Sequence, residues 1–138
     1  MPNNIIKTKI IVRFSETDAF EFVHFSEFFR YFELGFIELL KEINLLEKAI
    51  KREIGFPIVE AHCEYKNPAF FGDELEINTI VKKIGNRSIT TVHEIYKTNF
   101  NKLIAHGWIS RVFMKYQTRE LVQISEDTKK KLEEYLKI

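Results

Sequence analysis

The sequence predicts an α+β fold, with one long helix packed on an antiparallel sheet of about five strands and a further helix at the C-terminus. Three observations lead there. From Phe28 onward the apolar residues crowd at positions 28, 29, 31, 32, 34, 36, 37, 39 and 40. That is wider than one stripe, so a helix here needs cover on most of its sides, from a sheet or from a partner. Segments 58–65, 74–83, 88–98 and 103–116 are strand-like and separated by short connections carrying Gly, Asn, Pro or Asp, which suits successive antiparallel strands. The order is strand, helix, four strands and a terminal helix, with no internal repeat, linker or low-complexity stretch.

Each element follows from local pattern. Residues 7–14 are rich in Ile and Val and alternate imperfectly, which predicts a strand. Residues 15–25 form a loop, and Ser26 is the expected N-cap of the helix that follows. Glu27, Arg30, Glu33, Glu38 and Lys41 leave that helix a narrow wet edge. Residues 44–53 continue as a helical or turn segment until Gly55-Phe56-Pro57 breaks it. In 58–65, Val59, Ala61, Cys63 and Tyr65 share one face, and Glu60, His62 and Glu64 the other. Asn67-Pro68 and Phe71-Gly72-Asp73 frame the next connection, Ile84-Gly85-Asn86-Arg87 is a hairpin, and Asn99-Phe100-Asn101-Lys102 turns again. Ser125, followed by Glu126 and Asp127, caps a last helix to about 136, with Lys129-Lys130-Lys131 on its solvated face.

Composition narrows the function classes. The 138 residues fit one domain, 1–138, large enough to bury a core without disulfides. The chain is 45% hydrophobic and 30% charged, which is globular, and thirteen phenylalanines point to an aromatic core or an apolar tunnel. A net charge of +1 argues against a nucleic-acid partner. The single cysteine, Cys63, cannot form an internal disulfide, and Met1-Pro2-Asn3-Asn4 has neither the basic nor the apolar part of a signal peptide, so the sequence reads as cytoplasmic. The longest run free of Asp, Glu, Lys and Arg is 103–110, too short for a membrane span. His24, His62, His93 and His106 lack paired ligand spacing, so neither a metal nor another cofactor is expected. Ser15 is outside any nucleophile-elbow motif, and Cys63 has no base close in sequence.

The chemistry-bearing stretch is Val12-Arg13-Phe14-Ser15-Glu16-Thr17-Asp18, then Val23-His24-Phe25-Ser26 and Arg30-Tyr31-Phe32-Glu33. It sets a carboxylate, Asp18, in a short aromatic loop ahead of a helix N-terminus, where backbone N–H groups and the helix dipole favour negative charge. A carboxylate there can attack an activated acyl group or activate water against it, while the N–H groups hold the oxyanion. This block resembles the hotdog-fold acyl-CoA thioesterases of the 4-hydroxybenzoyl-CoA thioesterase type. Residues 57–75, from Pro57-Ile58-Val59-Glu60-Ala61-His62 to Gly72-Asp73-Glu74-Leu75, resemble a second block of that family, and Ile84-Gly85-Asn86-Arg87-Ser88 its hairpin.

The resemblance implies a central helix wrapped by a curved sheet, a homodimer often paired into a tetramer, and active sites at the dimer interface. It implies Asp18 as the catalytic carboxylate and the Phe25 backbone N–H as the donor to the thioester carbonyl. The substrate it implies is an acyl-CoA or an acyl-carrier-protein thioester. His24, Ser26, His62 and Arg87 are candidate substrate contacts, Arg87 with Lys82 and Lys83 toward the coenzyme A phosphates. Glu27 is the rival nucleophile or base, since a second hotdog group uses a carboxylate on the helix itself. The chain departs from the family pattern at Glu21, where Gly is frequent, and at Glu27 and Phe28, where Asn and Tyr are common. If position 21 needs a positive φ, a glutamate there costs on the order of 1 kcal/mol. The contrasting expectation is a hotdog module that binds acyl thioesters or assembles without catalysis; the presence of Asp18 favours the enzyme.

Overall fold

A computed structural model describes residues 4–137; Met1, Pro2 and Asn3 of the signal-peptide argument lie outside the described residues. The elements are β1 (Ile6–Ile11), a 3-10 turn (Phe14–Glu16), α1 (Glu27–Glu42), α2 (Leu46–Ile50), β2 (Ile54–Gly55), β3 (Ile58–Tyr65), β4 (Glu74–Ile84), β5 (Ser88–Lys97), β6 (Lys102–Val112), β7 (Met114–Lys115) and α3 (Glu126–Glu133). Five strands form one antiparallel sheet in the order β1-β4-β5-β6-β3. The expected α+β architecture is therefore present, with α1 lying on one face of the sheet.

Strand alternation fixes which side faces the helix. Leu75, Ile77, Thr79 and Val81 of β4, and Ile89, Thr91, His93 and Ile95 of β5, are buried, while their neighbours point to the outer face. The helix answers with Phe28, Tyr31, Phe32, Gly35, Phe36, Leu39 and Leu40, a stripe at three- and four-residue spacing. Gly35 is required there, because a Cβ would collide with Thr79 Oγ1 and crowd His93 Nδ1. The apolar residues outside this stripe are less covered: Leu34 and Ile37 are exposed and Phe29 is partly so. Within one chain the helix is thus buried on one side only.

Some boundaries differ from the sequence reading. The first strand ends at Ile11, because Phe14–Glu16 winds into a turn closed by Glu16 N–H on Arg13 O at 3.0 Å. The sixth strand stops at Val112. Phe113 is buried beside Phe56, donates its N–H to Arg87 O, and leaves Met114–Lys115 to pair with Ile54–Gly55. The last helix ends at Glu133, and Leu136 instead makes a bridge to Val81. Ser125 does cap that helix, accepting the Thr128 N–H at 3.2 Å. Ser26 does not cap α1: its backbone is already helical, at φ −70° and ψ −23°, and its hydroxyl is engaged by His24. A capping side chain needs the extended backbone that Ser125 has.

Candidate active site

The loop between β1 and α1 is a miniature hairpin. Thr17 bridges Val23, and Asp18 N–H bonds Phe22 O at 2.8 Å. Phe22 then bridges Phe70, and Val23 N–H bonds Ala69 O, which fastens the hairpin to the segment after β3. At the turn, Glu21 N–H bonds Asp18 O at 2.9 Å, and Glu21 has φ +69°. The positive φ that makes glycine the easy residue there is thus present, and a glutamate adopts it.

The turn aims the Asp18 carboxylate. Oδ1 accepts the Phe20 N–H at 2.9 Å and the Phe22 N–H at 3.3 Å. Oδ2 has no hydrogen bond among the described residues. One oxygen is held and the other is available for chemistry.

The α1 entrance is fixed by main-chain bonds. His24 N–H bonds Glu16 O at 2.8 Å, and Glu27 N–H bonds His24 O at 2.9 Å. The peptide between His24 and Phe25 is trans, so fixing its carbonyl toward Glu27 turns the Phe25 N–H the opposite way. That N–H has no acceptor among the described residues. Tyr65, from the end of β3, donates its hydroxyl to Phe25 O at 3.1 Å and so holds the following peptide as well. Asp18, Phe22, Phe25, Phe28, Tyr65 and Lys66 are among the residues lining one pocket of about 350 Å³. Phe28 is buried there, edge-on to Tyr31 and Tyr65 at ring separations of 5.8 and 5.4 Å.

The other candidates fall in different places. His24 stacks on the Phe25 ring at 4.6 Å, and its Nδ1 lies 2.7 Å from Ser26 Oγ and accepts the Ser26 N–H at 3.2 Å. Glu27 is half-buried at the helix start, 3.6 Å from Arg30 Nε, and is not among the residues lining the Asp18 pocket. His62 is on the outer face of the sheet, stacked on Trp108 at 4.1 Å, with Nε2 3.2 Å from Glu64. Glu64 also meets Lys66 and His106, and these contacts, Lys66 first and then His62, hold its carboxyl below the usual range. Arg87 is in the β4–β5 hairpin, at the far end of the sheet from Asp18. Strands of this length separate the two by roughly 30 Å, so one chain does not bring them together. Cys63 is half-buried, and burial pushes its thiol up to about 11, which makes it a poor nucleophile. Among the described residues no group of three or more metal-ligating side chains forms.

Sequence reasoning passed over Glu16, Tyr31, Tyr65 and Lys66. Glu16 and Tyr31 are buried and joined by a hydrogen bond of 3.1 Å, and Tyr65 and Lys66 line the Asp18 pocket. The readable signal was Arg13-x-x-Glu16, the spacing at which a glutamate reaches back to a turn's first N–H; it does so at 2.8 Å. The exposed phenylalanines were also not anticipated as a group. Phe14, Phe20, Phe22, Phe25, Phe70, Phe71 and Phe100 all sit at the end of the sheet where the Asp18 loop opens.

Residues 12–132 match the Thioesterase-like superfamily. The chain belongs to that superfamily. A 1,4-dihydroxy-2-naphthoyl-CoA hydrolase of Prochlorococcus marinus is 24% identical over 141 residues, covering 96% of this chain and 92% of that one. One of the same name from Nostoc punctiforme is 34% identical over 86 residues, or 61% of this chain and 58% of that one. Among solved structures, a gentisyl-coenzyme A thioesterase superposes with a TM-score of 0.83 at 26% identity, over 91% of this chain and 98% of the other. A 1,4-dihydroxy-2-naphthoyl-CoA thioesterase from Synechocystis gives 0.82 at 18% identity, over 94% and 96%, a likeness of fold. The helix cradled by the five-stranded sheet is the hotdog fold, and the enzyme class that goes with superfamily membership is thioester hydrolysis. No described helix is long and apolar enough to cross a membrane.

Proposed function

We propose that this thioesterase hydrolyses acyl-CoA in the manner of the 4-hydroxybenzoyl-CoA thioesterase type, with Asp18 as the reacting carboxylate and the Phe25 N–H as the oxyanion donor. The observation that carries the reading is the pairing at one pocket. Asp18 has one anchored and one unengaged carboxylate oxygen, and Phe25, which also lines the pocket, has an N–H without an internal acceptor. Asp18 Oδ2 attacks the thioester carbonyl or takes a proton from the attacking water. Either route puts negative charge on the carbonyl oxygen, which the Phe25 N–H and the positive end of α1 stabilise. The thiolate leaves; on the nucleophilic route water then cleaves the mixed anhydride to the free acid and regenerates Asp18, whereas on the general-base route the water that attacked has already formed the acid.

An aryl acyl group fits best. The pocket is walled by Phe22, Phe25, Phe28 and Tyr65, and two kinds of relative are named for aromatic acyl-CoAs. Coenzyme A is the carrier those names carry; an acyl carrier protein is the alternative. His24 and Ser26, beside Phe25, are placed to contact the substrate from the same chain, whereas His62 and Arg87 could reach it only from another copy. That arrangement requires self-association. The edge strand β3 exposes Ile58, Val59 and Tyr65, and a groove of about 540 Å³ between α1 and β3 has an apolar floor that includes Phe29, Leu34, Ile58 and Ala61, with the charged Arg13, Glu16, Arg30 and Glu33 also in its lining. Apolar cover of this kind suits a second copy of the chain.

Thiol release from a panel of aryl and aliphatic acyl-CoAs tests the activity. Asp18→Asn keeps the Oδ1 acceptor but removes the charge, and we expect it to lose at least ~100-fold in kcat, the scale of a general base, with little change in Tm. An active Asp18→Asn beside an inactive Glu27→Gln moves the chemistry to the helix carboxylate. No turnover of any acyl-CoA or acyl-carrier thioester leaves the binding module.

A further inference from the structure

Besides the contacts to Ala69, Phe70 and Tyr65, both halves of the candidate site are tied to one buried residue that does not itself line the Asp18 pocket. Glu16 is 8% exposed, two residues before Asp18. Its Oε1 accepts the Arg13 N–H at 2.8 Å and the Tyr31 hydroxyl at 3.1 Å, and its Oε2 accepts Arg13 Nη2 and Nε at 3.1 and 3.2 Å. Its backbone carbonyl accepts the His24 N–H at 2.8 Å. The Asp18 hairpin is therefore pinned at its start by the Glu16 side chain and at its end by the Glu16 main chain. Tyr31 is 1% exposed on the inner side of α1, so the carboxylate ties the hairpin to the very helix whose entrance carries the Phe25 N–H.

We propose that Glu16, acting through Tyr31, is the positioning residue that sets the Asp18 carboxylate against the Phe25 N–H; this rests on the reading of those two groups given above. The chemistry of the clamp suits the task. A buried carboxylate that accepts four donors is held by charge-assisted bonds, which are short and directional. The Arg13 side chain is 77% exposed, so the buried Tyr31 hydroxyl and Arg13 N–H define the geometry. Asp18 and Phe25 come from the two ends of a hairpin with no rigid element of its own. A shift of about 1 Å between reacting groups can cost ~100-fold in rate while leaving ground-state binding nearly intact. The clamp therefore acts on kcat.

The test is steady-state kinetics on Tyr31→Phe, Glu16→Gln and the double variant, with Asp18→Asn and Tyr96→Phe alongside. Tyr96 makes a similar hydroxyl-to-glutamate bond, to Glu94 on the outer sheet face, and controls for loss of such a bond alone. We expect Tyr31→Phe to lower kcat about 10-fold with KM within about twofold, at unchanged circular dichroism and oligomeric state. The double variant should be no slower than Glu16→Gln, because the two residues form one device. Tyr96→Phe should keep wild-type kcat. If Tyr31→Phe and Glu16→Gln both keep wild-type kcat while Asp18→Asn is inactive, the clamp is structural only and the proposal fails with the catalytic reading intact. If Asp18→Asn is active, the catalytic reading fails and the clamp has nothing to position. Should Glu16→Gln not fold, Tyr31→Phe decides alone, since it removes one oxygen.

Discussion

Glu21 shows what a single backbone angle costs this loop. Its φ of +69° is the left-handed region, where a side chain costs about 1 kcal/mol that glycine avoids. The turn needs that angle to bring the Phe20 and Phe22 N–H groups onto Asp18 Oδ1. Glu21→Gly should leave kcat unchanged and raise stability by up to ~1 kcal/mol, less the entropy glycine gives back to the unfolded chain; urea midpoints at constant m-value check it. A clear loss of stability would mean that the Glu21 side chain supports the loop through an interaction in the assembled enzyme. Phe25 poses the complementary question, because the group that matters is its N–H. Phe25→Ala retains that donor and should alter KM more than kcat. Phe25→Pro removes it without breaking an internal bond, and proline is accepted beside a helix start. We expect a loss of roughly 100- to 1,000-fold in kcat, the scale of one oxyanion donor, in protein whose circular dichroism matches wild type. A folded Phe25→Pro enzyme with normal kcat would place the carbonyl elsewhere.

Among the elements, β3 is the one whose environment is incomplete. It is one of the sheet's two edges, with β1 the other; its burial pattern is mostly exposed, and a bulge interrupts its pairing between Ile58 and Glu60. Sequence alternation put Val59, Ala61, Cys63 and Tyr65 on one face, yet in the single chain Val59 and Ala61 are exposed, Cys63 packs against the core and Tyr65 meets it through Phe28. Ala61→Lys sets a charge on exposed surface, so it should not unfold the chain, but it should break a dimer built on this edge. Light scattering at micromolar concentration should give at least twice the chain mass for wild type, a dimer or a tetramer, and a smaller assembly or the single mass for Ala61→Lys. A wild-type monomer would sink the shared-site arrangement. The same contrast explains how much of the architecture was legible. β4 and β5 are central strands whose inner and outer faces differ sharply, so alternation located them to within one residue. The stop at Val112 was hidden, because Phe113 and Met114 continue an apolar pattern while their backbone turns to Arg87 and to β2. Ser26 misled for the opposite reason: a capping residue type stood in the right place, but His24 competes for its hydroxyl. Asp18 and Phe25 were singled out through the family resemblance, and they line one pocket; their roles are what the Asp18→Asn and Phe25→Pro kinetics decide. The Glu16–Tyr31 bond was not legible, because its partners are fifteen residues apart and meet only when the hairpin folds onto α1.

Across the whole molecule, a polar layer divides two apolar cores. One core, around Val12, Phe28, Phe32, Leu75 and Ile95, supports the Asp18 loop, and the other, around Phe36, Leu39, Val81, Phe113 and Leu132, closes the far end under α3. Between them His93 is fully buried, with Nδ1 2.8 Å from Thr79 Oγ1, Nε2 2.9 Å from Thr91 Oγ1, and its ring stacked on Phe32 at 4.9 Å. Arg111 lies nearby, buried over the Phe36 ring and 3.4 Å from Glu33. Burial first, and the Arg111 charge second, push His93 down to about 3. The ring is therefore neutral in the folded protein at neutral pH, and each threonine meets one of its nitrogens. The sign of the pH dependence follows. The unfolded chain binds a proton at His93 near pH 6.5 and the folded chain only near 3, so protons favour unfolding between those values. The stabilisation is complete above about pH 6.5 and is lost progressively as pH falls toward 3, on the order of a few kcal/mol in all. Carboxylates also titrate below about pH 5, so the diagnostic window lies between 6.5 and 5. There Tm should fall with acid in the wild type and stay flatter in His93→Gln, whatever the absolute Tm of that variant. The slope of Tm against pH is the quantity to compare, and equal slopes in the two proteins would mean that His93 is protonated inside the fold, with Thr79 and Thr91 as acceptors.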